Sequence, residues 1–180
     1  PENRASRGGL FIEFLNDLQI RSIEEQKRFL KDELKLTALV TDLNMTSKFT
    51  LNGVREHLDF VDNHQYWDHP RFPVQQWRMP YLFSNMSSIS RLAQNPRYLM
   101  PTRIFGKPYT VTEFNFCNTK SYRVEAAPLI GGYAGLQDWD GLYRFAWSHS
   151  RDYMKAVDVP RGFDHVNDPQ AQLAERISSL

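Results

Sequence analysis

Glu113, in the segment KPYTVTEFN at residues 107–115, is the side chain of this chain whose type and position point most clearly to chemistry. The segment is typical of a short buried strand, in which Tyr109, Val111 and Glu113 would alternate onto one face. An unpaired carboxylate on a buried face loses several kcal/mol of hydration, so packing alone does not explain Glu113. We therefore interpret Glu113 as a functional acid at the end of a strand. The alternative is a solvated acid that caps the next turn.

A second group of side chains that could bind a metal or a substrate lies in the segment DNHQYWDH, residues 62–69. Asp62 and His64 would share one face of a strand, as two ligands of a metal ion must. His69 follows in irregular backbone before a proline, so no standard ligand spacing results. We therefore expect no metal here, and we expect His64 to hydrogen-bond a substrate or Glu113. A core histidine satisfied by the backbone is the simpler alternative.

Aromatic side chains are frequent, at 13% of the 180 residues. Trp147 would end a strand whose Tyr143 and Phe145 pack inside, and its indole, with a large apolar surface and one polar handle, could offer its face to a ligand. Asn44 is a candidate for hydrogen bonding to a substrate hydroxyl or for capping a turn. One or two rings of a long loop are expected to line the same cleft, from the set Tyr66, Trp67, Phe72, Trp77, Tyr81 and Phe83.

The elements that would position these residues alternate between helix and strand. Apolar residues recur at helical spacing over 10–34, and further helices are expected over 122–137 and after Asp168. An irregular excursion of unusual length is expected at 65–106, and such loops are more often functional than structural. Four strands are predicted, near 36–44, 58–64, 108–113 and 142–147.

Strands that alternate with helices favour parallel pairing, so the predicted fold class is α/β. His64, Glu113 and Trp147 would end three of the strands, and Asn44 would end the first. Function gathered at the carboxyl ends of strands is typical of a (β/α) barrel and also of an open doubly wound sheet. No strand is followed by G-x-G-x-x-G, so a dinucleotide-binding open sheet would lack its phosphate loop.

Several segments in register resemble the second half of a clan A glycoside hydrolase, a group of (β/α)8 retaining glycosidases that includes cellulase-like and β-galactosidase-like families. LDFVDNHQYW resembles the sixth barrel strand, KPYTVTEFN the seventh and LQDWDGLYRFAW the eighth, and LTALVTDLN would be the fifth. The resemblance covers residues 10–150. It implies a TIM (β/α)8 barrel of which residues 1–180 form the C-terminal half, strands five to eight.

The same resemblance implies a role for each residue. Glu113 would be the nucleophile, and His64 and Tyr66 would line the sugar site and donate the hydrogen bonds that keep it ionised. Trp147 would form the floor of the subsite that holds the cleaved sugar. The acid/base glutamate of such enzymes follows an asparagine, and this chain contains no Asn-Glu dipeptide. We therefore expect that residue outside this chain, with the missing half-barrel supplied by the parent polypeptide or by a second copy.

The sequence thus predicts a retaining glycoside hydrolase that cleaves a poly- or oligosaccharide without a metal or organic cofactor. One alternative is a non-catalytic carbohydrate-binding barrel that has lost the acid/base residue. Another is a metal-dependent hydrolase that uses Asp62 and His64. Localisation stays open, with a secreted or periplasmic location slightly favoured.

Composition argues against several other classes. The 22 basic and 21 acidic residues leave a formal charge of +1 without a basic block, which argues against nucleic-acid binding. No apolar run approaches the ~18 residues of a membrane span. The one cysteine, Cys117, excludes an internal disulfide and is expected to be a small buried residue.

Overall fold

The computed structural model describes residues 2–45, 47–155 and 162–179. Within these ranges the helices are α1 Glu2–Arg28, α2 Asn52–Arg55, α3 Gln94–Leu99, α4 Ala126–Gln137 and α5 Pro169–Ser178, and the strands are β1 Val61–Trp67, β2 Tyr109–Phe116 and β3 Gly141–Arg144. The strands form one sheet in the order β1-β2-β3, and both pairs are parallel. None of the described helices is long and apolar enough to cross a membrane.

The prediction of a half-barrel with four strands is wrong. The described residues form an open sheet of three strands with five helices, which is a small α/β domain. The strands predicted near 58–64, 108–113 and 142–147 are present with shifted bounds, as β1, β2 and β3. Parallel pairing is confirmed, whereas closure into a barrel is not.

The fourth predicted strand, 36–44, is an irregular segment along the outer edge of β1. Two backbone hydrogen bonds attach it there, from Asp59 N to Val40 O at 2.9 Å and from His64 N to Asn44 O at 2.7 Å. Leu43 has a φ of 65°, in the left-handed region that interrupts extended backbone. Regular pairing cannot continue through Leu43, so the segment covers the sheet edge without becoming a strand.

A β-bulge in β2 interrupts the pairing with β1. Asn63 lies opposite Val111, but the next residue, His64, lies opposite Glu113, which leaves Thr112 as the extra residue. A bulge of this kind places two residues against one, and it changes the face to which the following side chains point. The direction of Glu113 is therefore set by the bulge.

The main hydrophobic cluster shows the effect of the bulge. Tyr109, Val111 and Phe114 of β2 all pack in it, so the simple alternation of faces is broken between 111 and 114. Glu113 is adjacent to Phe114 and points to the opposite face. The prediction that Glu113 shares a face with Tyr109 and Val111 is wrong, because that face is apolar and would bury the charge at a high cost.

Helix α4 packs on this cluster through Ile130, and α5 packs on α4. The two helices approach closely at Gly131, where an added Cβ would lie 2.6 Å from the Cβ of Ser178. The helix predicted after Asp168 is confirmed, and the Asp168 carboxylate caps it by accepting a hydrogen bond from Ala171 N at 3.2 Å. Helix α5 is also attached to β3 by the ion pair between Arg144 and Glu175.

The long excursion that follows β1 folds back on itself. Arg71 and Leu82 form an antiparallel bridge through backbone hydrogen bonds of 3.0 and 2.9 Å. Asp68, directly after β1, accepts a hydrogen bond from Ser84 N at 3.2 Å and pairs with Lys120 at 3.5 Å. These contacts hold the aromatic part of the loop at the carboxyl end of the sheet.

Candidate functional site

Glu113 lies on the sheet face opposite the main hydrophobic cluster, and its side chain is 33% exposed. Two residues of β1 reach its Oε2 atom. The Tyr66 hydroxyl donates a hydrogen bond at 2.5 Å, and Nδ1 of His64 lies 3.3 Å away. His64 and Tyr66 are two residues apart on one strand, so alternation turns both to the same face. The carboxylate is thus held by the Tyr66 hydroxyl, with the His64 ring beside it, while remaining accessible to solvent.

Tyr66 acts as a hydrogen-bond donor in this contact. Burial and the hydrogen bond to Glu113 raise the pKa of Tyr66 well above its ordinary value. The phenol therefore keeps its proton at neutral pH and donates a hydrogen bond to the carboxylate. A hydrogen bond to an ionised acceptor is stronger than one between neutral groups, so this contact fixes the position of an anionic Glu113.

A chain of hydrogen bonds sets the orientation of His64. Asp62 accepts from Thr110 Oγ1 at 2.7 Å and from Thr112 N and Oγ1 at 3.1 and 2.5 Å. A carboxylate only accepts, so the hydroxyl hydrogen of Thr112 points to Asp62. Oγ1 of Thr112 then accepts from Nε2–H of His64 at 3.0 Å. Nδ1 is left 3.2 Å from the sulfur of Met45 and 3.3 Å from Glu113, and a hydrogen bond to Glu113 requires one further proton on either group.

The same contacts argue against a metal at Asp62. Both of its carboxylate oxygens already accept hydrogen bonds from threonine side chains. No group of three or more His, Cys, Asp and Glu side chains in the described ranges is arranged to hold a metal ion. The metal-dependent hydrolase considered from the sequence therefore gains no support from this geometry.

An aromatic cavity of about 470 Å³ lies next to this site. Tyr66 connects the two, because its hydroxyl contacts Glu113 while its ring packs against Phe163 and Phe145, with centroids 4.9 and 6.1 Å apart. Cavities of this size are typical of small-molecule sites. The aromatic residues of its wall are Phe72, Trp77, Tyr81, Phe145, Tyr153 and Phe163.

Trp147 does not line this cavity. Strand β3 ends at Arg144, and Trp147 lies beyond it with its side chain 55% exposed and its ring 5.9 Å from that of His165. Phe145, two residues earlier, is the residue of this segment that reaches the cavity wall. The chain therefore leaves the regular strand three residues before the predicted platform.

Trp67 and Asn44 have mainly structural contacts. Trp67 is 7% exposed, and its indole N–H donates to the backbone oxygen of Met86 at 2.8 Å. It packs with Phe116 in a separate buried cluster and does not line the cavity, and its predicted substrate contact stays a prediction. Asn44 uses its backbone oxygen to accept from His64 N, which places it at the sheet edge beside the site.

Cys117 is fully buried, and burial raises the pKa of its thiol to about 12. Its sulfur donates a hydrogen bond to Asp68 O at 2.9 Å. A protonated buried thiol is a poor nucleophile. The expectation that Cys117 is a small buried residue is confirmed.

Two features of this region escape the sequence pattern. The first is Thr112, which the sequence analysis did not single out on its strand. The two threonines at 110 and 112 could have indicated partners for the Asp62 carboxylate. The second feature is a hydrogen-bonded pair, His149 and Asp164, which also lines the cavity. These residues are 15 positions apart and meet through irregular backbone, so no local pattern marks them.

No family model, curated protein or solved structure matches this chain.

Proposed function

We propose that this chain carries the nucleophile of a retaining glycoside hydrolase, and that Glu113 is that nucleophile. The observation that carries the proposal is the setting of Glu113, whose Oε2 lies 2.5 Å from the Tyr66 hydroxyl and 3.3 Å from His64 Nδ1 while a third of the side chain remains exposed. An attacking carboxylate must be anionic, oriented and accessible at the same time. The contacts of Glu113 support all three requirements.

In the proposed reaction an oxygen of Glu113 attacks the anomeric carbon, and the bond from that carbon to the leaving oxygen breaks. The leaving oxygen takes a proton from an acid, and water later releases the sugar from the glycosyl-enzyme. Asp62 does not suit the role of that acid, because its side chain is 3% exposed and is engaged by two threonines. The proposal therefore takes the acid/base residue from outside the described part of the chain.

The substrate class is a poly- or oligosaccharide. The aromatic cavity beside Tyr66 supports this assignment, since aromatic rings offer a large apolar surface to the C–H face of a sugar. The same cavity also favours a second candidate, a protein that binds carbohydrate without cleaving it. The two candidates differ in whether Glu113 forms a covalent bond.

Covalent trapping tests the proposal directly. The protein is incubated with a panel of activated 2-deoxy-2-fluoro glycosides, whose good leaving groups reduce the need for the acid, and its peptides are analysed by mass spectrometry. We expect a glycosyl adduct on the peptide that contains Glu113. Glu113→Gln should remove the adduct and lower turnover of an activated aryl glycoside by roughly 1,000-fold or more, because the nucleophile is lost.

Glu175→Gln is the matched control. Glu175 is 32% exposed, close to the 33% of Glu113, but it pairs with Arg144 and lies outside the proposed site. We expect Glu175→Gln to keep the adduct. An adduct on another residue would refute Glu113 as the nucleophile. No adduct with any member of the panel would refute it as well and would favour the binding protein.

A further inference from the structure

His149 and Asp164 form an imidazole–carboxylate pair on the wall of the aromatic cavity. Both Nδ1 and the backbone N–H of His149 contact Oδ1 of Asp164, the backbone contact at 2.9 Å. The Asp164 side chain is 4% exposed, whereas that of His149 is 47% exposed. The carboxylate is therefore enclosed, and the imidazole is the member of the pair that can reach a ligand.

The enclosed carboxylate determines which imidazole nitrogen carries the hydrogen. Asp164 can only accept, so Nδ1 of His149 donates to it. In the neutral ring the other nitrogen, Nε2, is then an acceptor. His149 thus offers an oriented acceptor for a hydroxyl group, held in place by two hydrogen bonds to one oxygen.

The rest of the wall is mostly aromatic, and part of it is already packed. The ring of Phe72 lies 4.9 Å from that of Trp77 and 5.4 Å from that of Tyr81, centroid to centroid. Trp77 nevertheless keeps 55% of its surface exposed. Because these rings are ordered before the ligand binds, the entropic cost of ordering them on binding is lower.

We infer that this cavity binds one pyranose ring, with the C–H face of the sugar on Trp77 and a sugar hydroxyl donating to Nε2 of His149. The inference rests on the proposed function for its ligand class, and it adds a sugar subsite that adjoins Glu113 through Tyr66. A sugar matches the walls because it has an apolar face and hydroxyl edges. A cationic ligand matches less well, since Asp164 already accepts two hydrogen bonds from His149.

Sugar binding to the full chain can be measured without turnover. Methyl glycosides of glucose, galactose, mannose and xylose are titrated into the Glu113→Gln variant by calorimetry, and saturation-transfer NMR identifies the sugar protons in contact with protein. We expect at least one glycoside to bind and its ring C–H protons to receive saturation. Failure of all four to bind would overturn the inference.

Three variants locate the bound sugar. We expect Trp77→Ala to weaken binding by roughly tenfold through loss of stacking, and His149→Phe to weaken it by roughly three- to tenfold through loss of one hydrogen bond. Trp147→Ala is the comparison, because Trp147 is equally exposed at 55% but lies outside the cavity wall. Loss of binding in Trp147→Ala with retention in Trp77→Ala would overturn the inference.

A measurement on the unmodified side chain covers the case in which a variant fails to fold. Nitrogen-15 NMR distinguishes the two tautomers of neutral histidine, and we expect His149 to carry its hydrogen on Nδ1. The opposite tautomer would contradict the proposed acceptor.

The outcomes separate this inference from the proposed function. Sugar binding that depends on Trp77, without an adduct on Glu113, would support the subsite and refute the glycosidase. An adduct on Glu113, with binding unaffected by Trp77→Ala and His149→Phe, would support the glycosidase and refute the subsite.

Discussion

Two imidazole–carboxylate pairs in this molecule are built in opposite ways. On the sheet, the His64 side chain is 10% exposed and that of Glu113 is 33% exposed. At the cavity, His149 is 47% exposed and Asp164 is 4% exposed. In each pair one member is enclosed and the other is exposed, so the group offered to a ligand is a carboxylate in the first and an imidazole in the second. Burial, more than residue type, distinguishes the chemistry open to each pair.

The pairs also differ in what supports them. His64 and Glu113 lie opposite each other on paired strands, next to the bulge at Thr112. His149 and Asp164 lie in irregular backbone after β3, where one residue contacts the carboxylate through both its backbone and its ring. We therefore expect substitutions on the sheet to affect the first pair selectively.

Tyr66→Phe should have the largest effect on the sheet pair. It removes the hydroxyl that holds Glu113 but keeps the ring against Phe163. We expect turnover of an aryl glycoside to fall roughly 10- to 100-fold, in line with about 1.5–3 kcal/mol for a hydrogen bond to a charged group. Methyl-glycoside binding at the cavity should change little.

The control for this substitution is Tyr143→Phe, since Tyr143 is 59% exposed on β3. Equal loss of turnover in both variants would show that the hydroxyl contact with Glu113 has no special role.

Gly131→Ala should disturb the packing of α4 against α5, whose Gln172 donates hydrogen bonds to the backbone oxygens of His165 and Val166, close in sequence to the cavity pair. The added Cβ would lie 2.6 Å from that of Ser178, so α4 and α5 must separate. Overpacking of this kind costs about 1–3 kcal/mol of unfolding free energy. Urea unfolding measures the loss.

Gly132→Ala is the matched control, because nothing lies within 4 Å of its added Cβ. It should be neutral or more stable by up to about 1 kcal/mol, as alanine favours helix. If both variants were equally stable, the close approach of α4 and α5 would be refuted.

Thr112→Val should have the smallest effect, and only on the sheet pair. Valine keeps the shape but removes the oxygen that accepts from His64 Nε2 and donates to Asp62. We expect the nitrogen-15 signals of His64 to change while those of His149 stay fixed, with a roughly two- to tenfold loss of turnover for one hydrogen bond.

Thr112→Ser restores the hydroxyl and should restore both readouts. Unchanged His64 signals in Thr112→Val would mean that the hydrogen bonds from His64 to Thr112 and from Thr112 to Asp62 do not set the tautomer of His64.

Part of the candidate site can be predicted from the sequence alone. Its pattern singles out Glu113, His64 and Tyr66, and the fold brings these three side chains together. Their catalytic role stays a prediction. The pattern does not decide the packing of Trp67, because an aromatic residue at a strand end looks the same in sequence whether it packs inward or outward. The burial of Trp67 depends on Met86 and Phe116, which are distant along the chain.

The sequence by itself determined the alternation of strands and helices, the parallel pairing and the start of α5 at Asp168. These follow from local periodicity and capping, which act over a few neighbouring residues. Only the tertiary structure decided that the sheet stays open, that the bulge at Thr112 turns Glu113 away from the core, and that His149 meets Asp164. Strand register and side-chain pairing depend on the free energy of contacts between distant segments, and no local pattern encodes that sum.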